Sequence, residues 1–280
     1  MIGVTPAEFT LAVAAISFAA GLIGSLVGVG GGIIVVPALV LLFGVRIQTA
    51  VAASIISVIA TSSGAAAVYV RDRITNLRLA MVLEIATTAG ALTGATLAAV
   101  ISGRFLYLLF GIVLSYTAWS MSRRSAKRTT PLPPDPWADR LRLHGEFHDR
   151  AHRETVAYRV CRTPLGLTVS YIAGVVSGLL GIGGGVLKVP VMNLAMGIPI
   201  KVCTATSTFM IGVTAAASAA VYFMRGDVQP FIAAPVAVGV LLGAKTGSRL
   251  LSRLKNNVIR AAFVIVLAIT ALQMLWKGIK

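Results

Sequence analysis

GVGGGIIVVP at residues 28–37 is the stretch that decides the fold, because it returns as GIGGGVLKVP at residues 181–190. The two copies lie 153 residues apart, and the same offset pairs further residues without a gap. The matched pairs are Gly21 with Gly174, Gly44 with Gly197, Ser54 with Ser207, Tyr69 with Tyr222, Gly90 with Gly243 and Gly94 with Gly247. A match over most of each half indicates a duplicated chain rather than a chance cluster of glycines.

The composition is that of a membrane protein. Of the 280 residues, 57% are hydrophobic and only 12% are charged, whereas a soluble domain has about a quarter of its residues charged. The apolar stretches that flank the glycine motifs are long enough to cross a hydrocarbon layer of about 30 Å. The sequence therefore predicts an all-α polytopic protein whose partner is the lipid bilayer.

The positive charge has a local explanation. The formal net charge is +16, which could indicate nucleic-acid binding, but much of it falls between the two apolar halves, at residues 123–162. Arginine and lysine in such a segment hold it on the cytoplasmic side of a membrane. We therefore predict a first membrane repeat at 1–122, a basic cytoplasmic connector at 123–163 and a second membrane repeat at 164–280, with no nucleic-acid partner.

Each half contains five apolar helical stretches. They are Phe9–Val29, Ile33–Phe43, Ala50–Val70, Leu79–Ile101 and Phe105–Met121 in the first half, and Leu165–Ile182, Val186–Met196, Cys203–Met224, Phe231–Leu251 and Val258–Trp276 in the second. The second stretch of each half is too short to cross a bilayer as an ideal helix. The sequence leaves open whether this stretch crosses fully or is re-entrant.

Basic residues in the short loops predict the orientation of the halves. With the connector in the cytoplasm, the loop 71–78 with its three arginines is also cytoplasmic, whereas the matching loop 225–230, with one arginine, lies outside. The bias reverses at the next loop, where 102–104 lies outside and the basic residues of 249–260 lie inside. This exchange predicts two inverted repeats with both chain ends outside.

The repeated motif resembles that of a known transporter family. The twin GxGGGxxxxP motifs, the small-residue stretches AASIISV and ATSTFMIGV, and the segment GVVSGLLGIGGGVLKVP are similar to those of the sulfite exporter TauE/SafE family. The resemblance covers nearly the whole chain apart from parts of the connector. It implies a permease for sulfite, organosulfonates or related sulfur-containing anions, without cofactors, in a bacterial inner membrane. The oligomeric state is left open, with a homodimer among the alternatives.

Consecutive glycines break a helix, and the freed backbone groups must then face protein or a wet cavity. N–H groups at the start of the next half-helix favour an anion, helped by the helix dipole. Broken helices at matching positions of two halves are the usual pointer to a transporter's binding site. The predicted substrate-binding glycines are Gly30, Gly31, Gly32, Gly183, Gly184 and Gly185. Close helix packing is the alternative reading of these glycines.

Four further residues are candidates near the breaks. Ser54 and Ser207 hold matching positions and could donate hydroxyl hydrogens to substrate oxygens, although serines in helices often bond to their own backbone. Lys188 follows the second break by three residues and would attract an anion. Glu84 is a carboxylate within an apolar stretch, for which we weigh a proton relay against an ion pair. Neither has an ionisable counterpart, because Lys188 matches Val35 of the first half and Glu84 matches Ala237 of the second.

Other functions are less well supported. No nucleophile triad, phosphate loop or zinc signature is evident, and we predict neither an enzyme nor a metal site. A carrier of a cation or another small solute remains an alternative, and an intramembrane sulfur-handling enzyme built on Cys203 is a weaker one. Three histidines of the connector, His144, His148 and His152, share one face only if that segment is helical. Tyr69 and Tyr222 end matching stretches, where we expect interfacial residues.

Overall fold

The computed structural model describes residues 6–28, 30–122, 134–149, 154–251 and 256–279. The helices are α1 (Pro6–Val27), α2 (Gly32–Leu42), α3 (Ile47–Arg71), α4 (Leu77–Leu97), α5 (Gly103–Ser122), α6 (Pro136–Arg140), α7 (Thr163–Leu180), α8 (Gly185–Pro190), α9 (Ile200–Met224), α10 (Pro230–Leu251) and α11 (Asn256–Ile279). A π-helical turn, Val191–Ala195, continues α8. The strands β1 (Gly145–Asp149) and β2 (Glu154–Tyr158) form an antiparallel hairpin.

Within the described ranges, six helices are long and apolar enough to cross a membrane. They are α1, α3, α4, α7, α9 and α10. The hairpin belongs to the connector and not to either repeat. The predicted all-α polytopic membrane protein is therefore confirmed.

Glycine backbone interrupts the chain at the same place in each half, between α1 and α2 and between α7 and α8. The positive φ angles there are 78° at Gly28, 75° at Gly30, 67° at Gly181 and 76° at Gly183. Glycine reaches this left-handed region without the steric cost that a Cβ would bring. A helix cannot continue through such residues, so α1 and α7 end and a new helix begins after each segment.

The contacts between helices correspond when the two halves are exchanged. α1 packs along α10, and its counterpart α7 packs along α4. In the same way α3 packs on α10 and α9 packs on α4, while α3 contacts α9 and α5 contacts α11. Each of these contacts therefore has a counterpart when α1–α5 are exchanged for α7–α11. The inverted orientation of the halves in a bilayer stays a prediction.

Glycines outside the motif bring these helices close together. A Cβ on Gly90 of α4 would collide with the carbonyl oxygen of Tyr171, and one on the matching Gly243 would collide with the carbonyl oxygen of Phe18. Five more glycines face a backbone carbonyl of a partner helix in the same manner: Gly21, Gly94, Gly174, Gly178 and Gly239. Small residues permit such backbone approach in lipid, where van der Waals packing drives helix association.

The connector, in the part that the structure describes, folds against the ends of α4 and α9. Asp149 of β1 and Lys201 at the start of α9 form a buried ion pair of 2.6 Å. The side-chain amide of Asn76, which caps α4, donates to the carbonyl oxygen of Leu143 and to the hydroxyl of Tyr158. The connector is thus fastened to both repeats.

Asp135 organises the start of the connector. Its carboxylate accepts the backbone N–H groups of Trp137 and Ala138 at the start of α6 and that of Thr163, where α7 begins. Burial raises the pKa of Asp135, but these hydrogen bonds outweigh it and hold the pKa below its usual value. The segment 123–133, which carries much of the predicted basic and Pro-rich stretch, lies outside the described residues.

Candidate functional site

The two glycine segments meet where α3 crosses α9. A Cβ on Gly30 would contact both Val58 of α3 and Ile211 of α9, and a Cβ on Gly183 would contact the same two side chains. Val58 and Ile211 are themselves a matched pair of the duplication. The two breaks therefore lie on either side of one central contact, and they are closely packed.

Each half holds the other half's break through a serine hydroxyl. Ser54 of α3 donates to the carbonyl oxygen of Gly181 at 2.5 Å, and Ser207 of α9 donates to the carbonyl oxygen of Gly28 at 2.7 Å. Both serines are fully buried. A serine has one hydroxyl hydrogen, so in this conformation each hydroxyl donates to a glycine carbonyl that the helix break has freed.

Two tyrosines repeat the same symmetric pattern within the halves. Tyr69 donates to the carbonyl oxygen of Ser25, and Tyr222 donates to that of Gly178, each at 2.8 Å. Their side chains are 0% and 2% exposed. The expectation that these tyrosines lie at the membrane interface is therefore wrong. Their hydroxyls donate to backbone carbonyls one turn before the glycine segments. A tyrosine's position near the end of a helix does not predict such a partner.

The first turns of α2 and α8 present backbone N–H groups that have no acceptor within their own helix. In the first half the N–H of Gly31 donates to the hydroxyl of Thr61 at 3.1 Å, and α2 begins at Gly32. In the second half Gly184 precedes the start of α8 at Gly185. The six predicted glycines thus lie in these two segments.

Lys188 and Glu84 form the charged part of the site. Lys188 of α8 has 1% of its side chain exposed, and its Nζ lies 3.9 Å from Oε2 of Glu84. The other carboxylate oxygen, Oε1, accepts from the hydroxyls of Thr214 at 2.6 Å and Thr88 at 3.1 Å. Neither Nζ nor Oε2 has a hydrogen-bond partner. The sequence left a proton relay and an ion pair open for Glu84, and Lys188 is the cation that faces it.

A cavity of about 320 Å³ lies elsewhere, between α1, α2 and α11. Apolar side chains such as Ile16, Pro37 and Leu41 line most of it, and its lining includes neither the predicted glycines nor Lys188. It is therefore not the predicted anion pocket. The break region itself is filled, as the contacts of Gly30 and Gly183 require.

The cysteines and histidines do not form a site in the part of the chain that the structure describes. Cys203 is buried, and its thiol contacts the carbonyl oxygen of Ile198. The connector residues around His144 and His148 form a hairpin rather than a helix, and His152 lies outside the described residues. Among the described residues there is no group of three metal-binding side chains.

The sequence did not predict two polar contacts. One is the hydrogen bond that the hydroxyl of Thr214 donates to Glu84. The ion pair of Asp149 with Lys201 was not foreseen, because the acidic residue stands in a strongly basic segment. An aspartate in such a segment, together with a lysine at the start of an apolar helix, is the signal that could have indicated it.

A family model for the sulfite exporter TauE/SafE family matches residues 13–274. The chain belongs to the sulfite exporter TauE/SafE family. This is a family of membrane transporters and not of enzymes, so the chain is a multi-pass membrane transporter. The expected resemblance and the absence of an enzymatic role are thereby confirmed.

Curated relatives of this TauE/SafE protein agree with the assignment. It is 27% identical to the probable membrane transporter protein YunE of Bacillus subtilis, over 93% of this chain and 95% of that protein. It is 26% identical to a probable membrane transporter protein of Xylella fastidiosa, over 94% and 92%. A 58-residue stretch is 41% identical to sulfite exporter TauE/SafE family protein 5 of Arabidopsis thaliana, which covers 21% of this chain and 13% of that protein. No solved structure matches.

Proposed function

We propose that this transporter carries small sulfur-containing anions, sulfite or organosulfonates, through a site between the two glycine breaks. One observation carries the proposal. The ammonium group of Lys188 is buried beside the second break without a hydrogen-bond partner. A buried ammonium group that makes no hydrogen bond is costly, and an anion delivered by the pathway would accept the hydrogen bonds that Glu84 at 3.9 Å does not.

The chemistry of the breaks supports an anion. Backbone N–H groups of Gly30 to Gly32 and of Gly183 to Gly185 lie at the starts of α2 and α8, where the helix dipole favours negative charge. The oxygens of a sulfite or sulfonate group accept several hydrogen bonds at once. Ser54 and Ser207 lie beside these segments, and each hydroxyl can exchange its carbonyl partner for a substrate oxygen.

Alternating access is the mechanism that we propose for transport. The filled break region represents the closed conformation, with Ser54 and Ser207 bonded across the two halves. Rocking of one repeat against the other would open the site to either side in turn. We place the protein in a bacterial plasma membrane as an inverted duplication, with the connector in the cytoplasm and both chain ends outside.

A carrier of a cation is the second candidate in transport, since the free oxygen of Glu84 could receive a cation. Among the described residues, Glu84 is the one buried carboxylate on a membrane-spanning helix. Lys188 already faces this carboxylate, and a second cation there would meet like charge. The anion is therefore the better-supported substrate.

Efflux from proteoliposomes tests the proposal. Vesicles that contain the purified protein are loaded with labelled sulfite, methanesulfonate or sulfate, and efflux is followed with and without a pH gradient. We expect flux of at least one sulfur anion and none of sodium or potassium ions. Flux of a cation alone would overturn the proposal.

Two lysines in apolar helices provide a matched pair of variants. Lys188→Met should abolish anion flux, because the buried charge beside the break is lost. Lys245→Met is the control, since Lys245 lies exposed on α10 and should leave flux unchanged. Equal fluxes for the two variants would remove Lys188 from the pathway.

A further inference from the structure

Glu84 and Lys188 each have a buried polar atom without a hydrogen-bond partner. Nζ of Lys188 and Oε2 of Glu84 are 3.9 Å apart, which is beyond hydrogen-bond distance. The carboxylate is anchored at its other oxygen, Oε1, by the hydroxyls of Thr88 and Thr214. Glu84 therefore points a free oxygen toward Lys188 without closing on it.

Among the residues that the structure describes, Lys188 of α8 is the charged side chain that faces this carboxylate. On α9 the ionisable side chains are Lys201, Cys203 and Tyr222, which lie about 12–20 Å along the helix from Thr214 at 1.5 Å per residue. They are engaged with Asp149, the carbonyl oxygen of Ile198 and the carbonyl oxygen of Gly178, respectively.

The remaining neighbours of Glu84 also lie apart from it. On α7 the ionisable side chain is Tyr171, which is 42% exposed. On α4 itself the other charge is Arg78, which is six residues away and donates to the carbonyl oxygen of Arg142. Among the described residues, Lys188 is thus the one charge that balances Glu84.

Charge balance then limits what can happen when a substrate arrives. The pair is neutral as long as both groups are ionised. An anion bound at Lys188 adds a negative charge next to a buried carboxylate, and like charges in a low-dielectric site repel strongly. A proton taken up at the free oxygen of Glu84 removes that repulsion and also gives Oε2 a hydrogen to donate.

We infer that Glu84 stands in for the substrate at Lys188 and takes up one proton when an anion displaces it. The inference rests on the proposed function. The step balances: the anion binds the ammonium group, the ion pair of Lys188 with Glu84 is broken, and one proton from water converts the carboxylate into a carboxylic acid. A singly charged anion therefore travels with one proton, and its transport is electroneutral.

Counting protons on binding tests this coupling. The purified protein is titrated with methanesulfonate, sulfate and sulfite by calorimetry in buffers of different ionisation enthalpy, which gives the protons taken up per bound anion. The wild type should take up one proton more per anion than Glu84→Gln. The control Glu146→Gln, at an exposed position on β1, should behave as the wild type.

Conservative replacement guards against misfolding. Glu84→Asp keeps the carboxyl group but withdraws it by one methylene, so it should bind the anion more tightly and still take up the proton. Proton uptake by Glu84→Gln equal to that of the wild type would overturn the inference, as would the absence of uptake in Glu84→Asp. If Glu84→Gln does not fold, the test is the comparison of proton uptake by Glu84→Asp and the wild type.

The outcomes separate the two proposals. A wild type that neither binds nor moves any of the three anions refutes the proposed function, and the coupling fails with it. A wild type that moves an anion without a proton difference from Glu84→Gln refutes the coupling alone. In vesicles, the coupled wild type should acidify the compartment that receives methanesulfonate, and Glu84→Gln should not.

Discussion

The two glycine breaks share a sequence pattern but differ in what surrounds them. In the first half Gly31 has φ −68° and its N–H donates to Thr61. In the second half the matching Gly184 has φ 70°, and the matching Thr214 donates to Glu84 instead. The second break has Lys188 beside it, facing Glu84 of α4, whereas the matching positions at the first break are Val35 of α2 and Ala237 of α10.

This difference separates scaffold from chemistry. The contacts that hold the breaks in place, through Ser54 with Ser207 and Tyr69 with Tyr222, occur in both halves. The charged groups Lys188 and Glu84, one from each half, lie beside the second break only. A duplication thus supplies a symmetric frame, and later substitution on one side can give that frame a single charged pocket without disturbing the matched contacts.

The largest effect is expected from breaking the charged pair. Lys188→Met leaves Glu84 buried without its cation, and removal of one partner of a buried ion pair costs about 3–5 kcal/mol. The double variant Lys188→Met with Glu84→Gln should recover most of that stability, because no uncompensated charge remains. Thermal unfolding in detergent measures both. A double variant as unstable as the single one would show that packing, and not charge, fixes the pair.

The first glycine break offers the reciprocal experiment. Val35 is 1% exposed, so Val35→Lys places an unpaired ammonium group at the position that matches Lys188 and should cost about 3 kcal/mol. Adding Ala237→Glu at the position that matches Glu84 should restore part of the loss. The unfolding temperatures of the single and double variants measure this recovery. A double variant no more stable than the single one would mean that the surroundings of the two breaks are not equivalent.

A smaller and symmetric effect is expected at the serines. Ser54→Ala and Ser207→Ala each leave a freed glycine carbonyl without its donor, which costs about 1–3 kcal/mol per site. Because the two bonds are equivalent across the halves, the two losses should agree within experimental error. Denaturant unfolding of each variant measures them. A clear inequality would contradict the symmetric frame.

The connector belongs to neither half and gives the smallest effect. The folded-state pKa of Asp135 is held below its usual value, so its contribution to stability is complete above the unfolded pKa of about 3.9. It is lost as the pH falls through the lower folded pKa. Asp135→Ala should cost about 1 kcal/mol at neutral pH and less in acid. Denaturant unfolding of the two proteins at neutral and acid pH, followed by tryptophan fluorescence, measures this difference, and a pH-independent loss would contradict it.

The repeat and the membrane class could be predicted because glycine and apolar runs act locally. Gly30 and Gly183 break helices by their own backbone freedom, whatever packs around them. The partners of Ser54 and Tyr69 could not be predicted, since these bonds depend on which carbonyls the fold brings near. Lys188 was indicated by its cost in lipid, but its distance from Glu84 is set by the way α8 and α4 each pack against α7 and α9.

The crossed serine bonds have a consequence for biosynthesis. Ser207, which donates to the first glycine segment, is synthesised only after the connector. Ser54, which donates to the second glycine segment, is synthesised before the connector. A first repeat that leaves the ribosome alone therefore keeps the carbonyl of Gly28 without its donor in lipid, where such a group is costly. Maturation of the early half must wait for translation of the late one, and two separately expressed halves should reach their mature form only together.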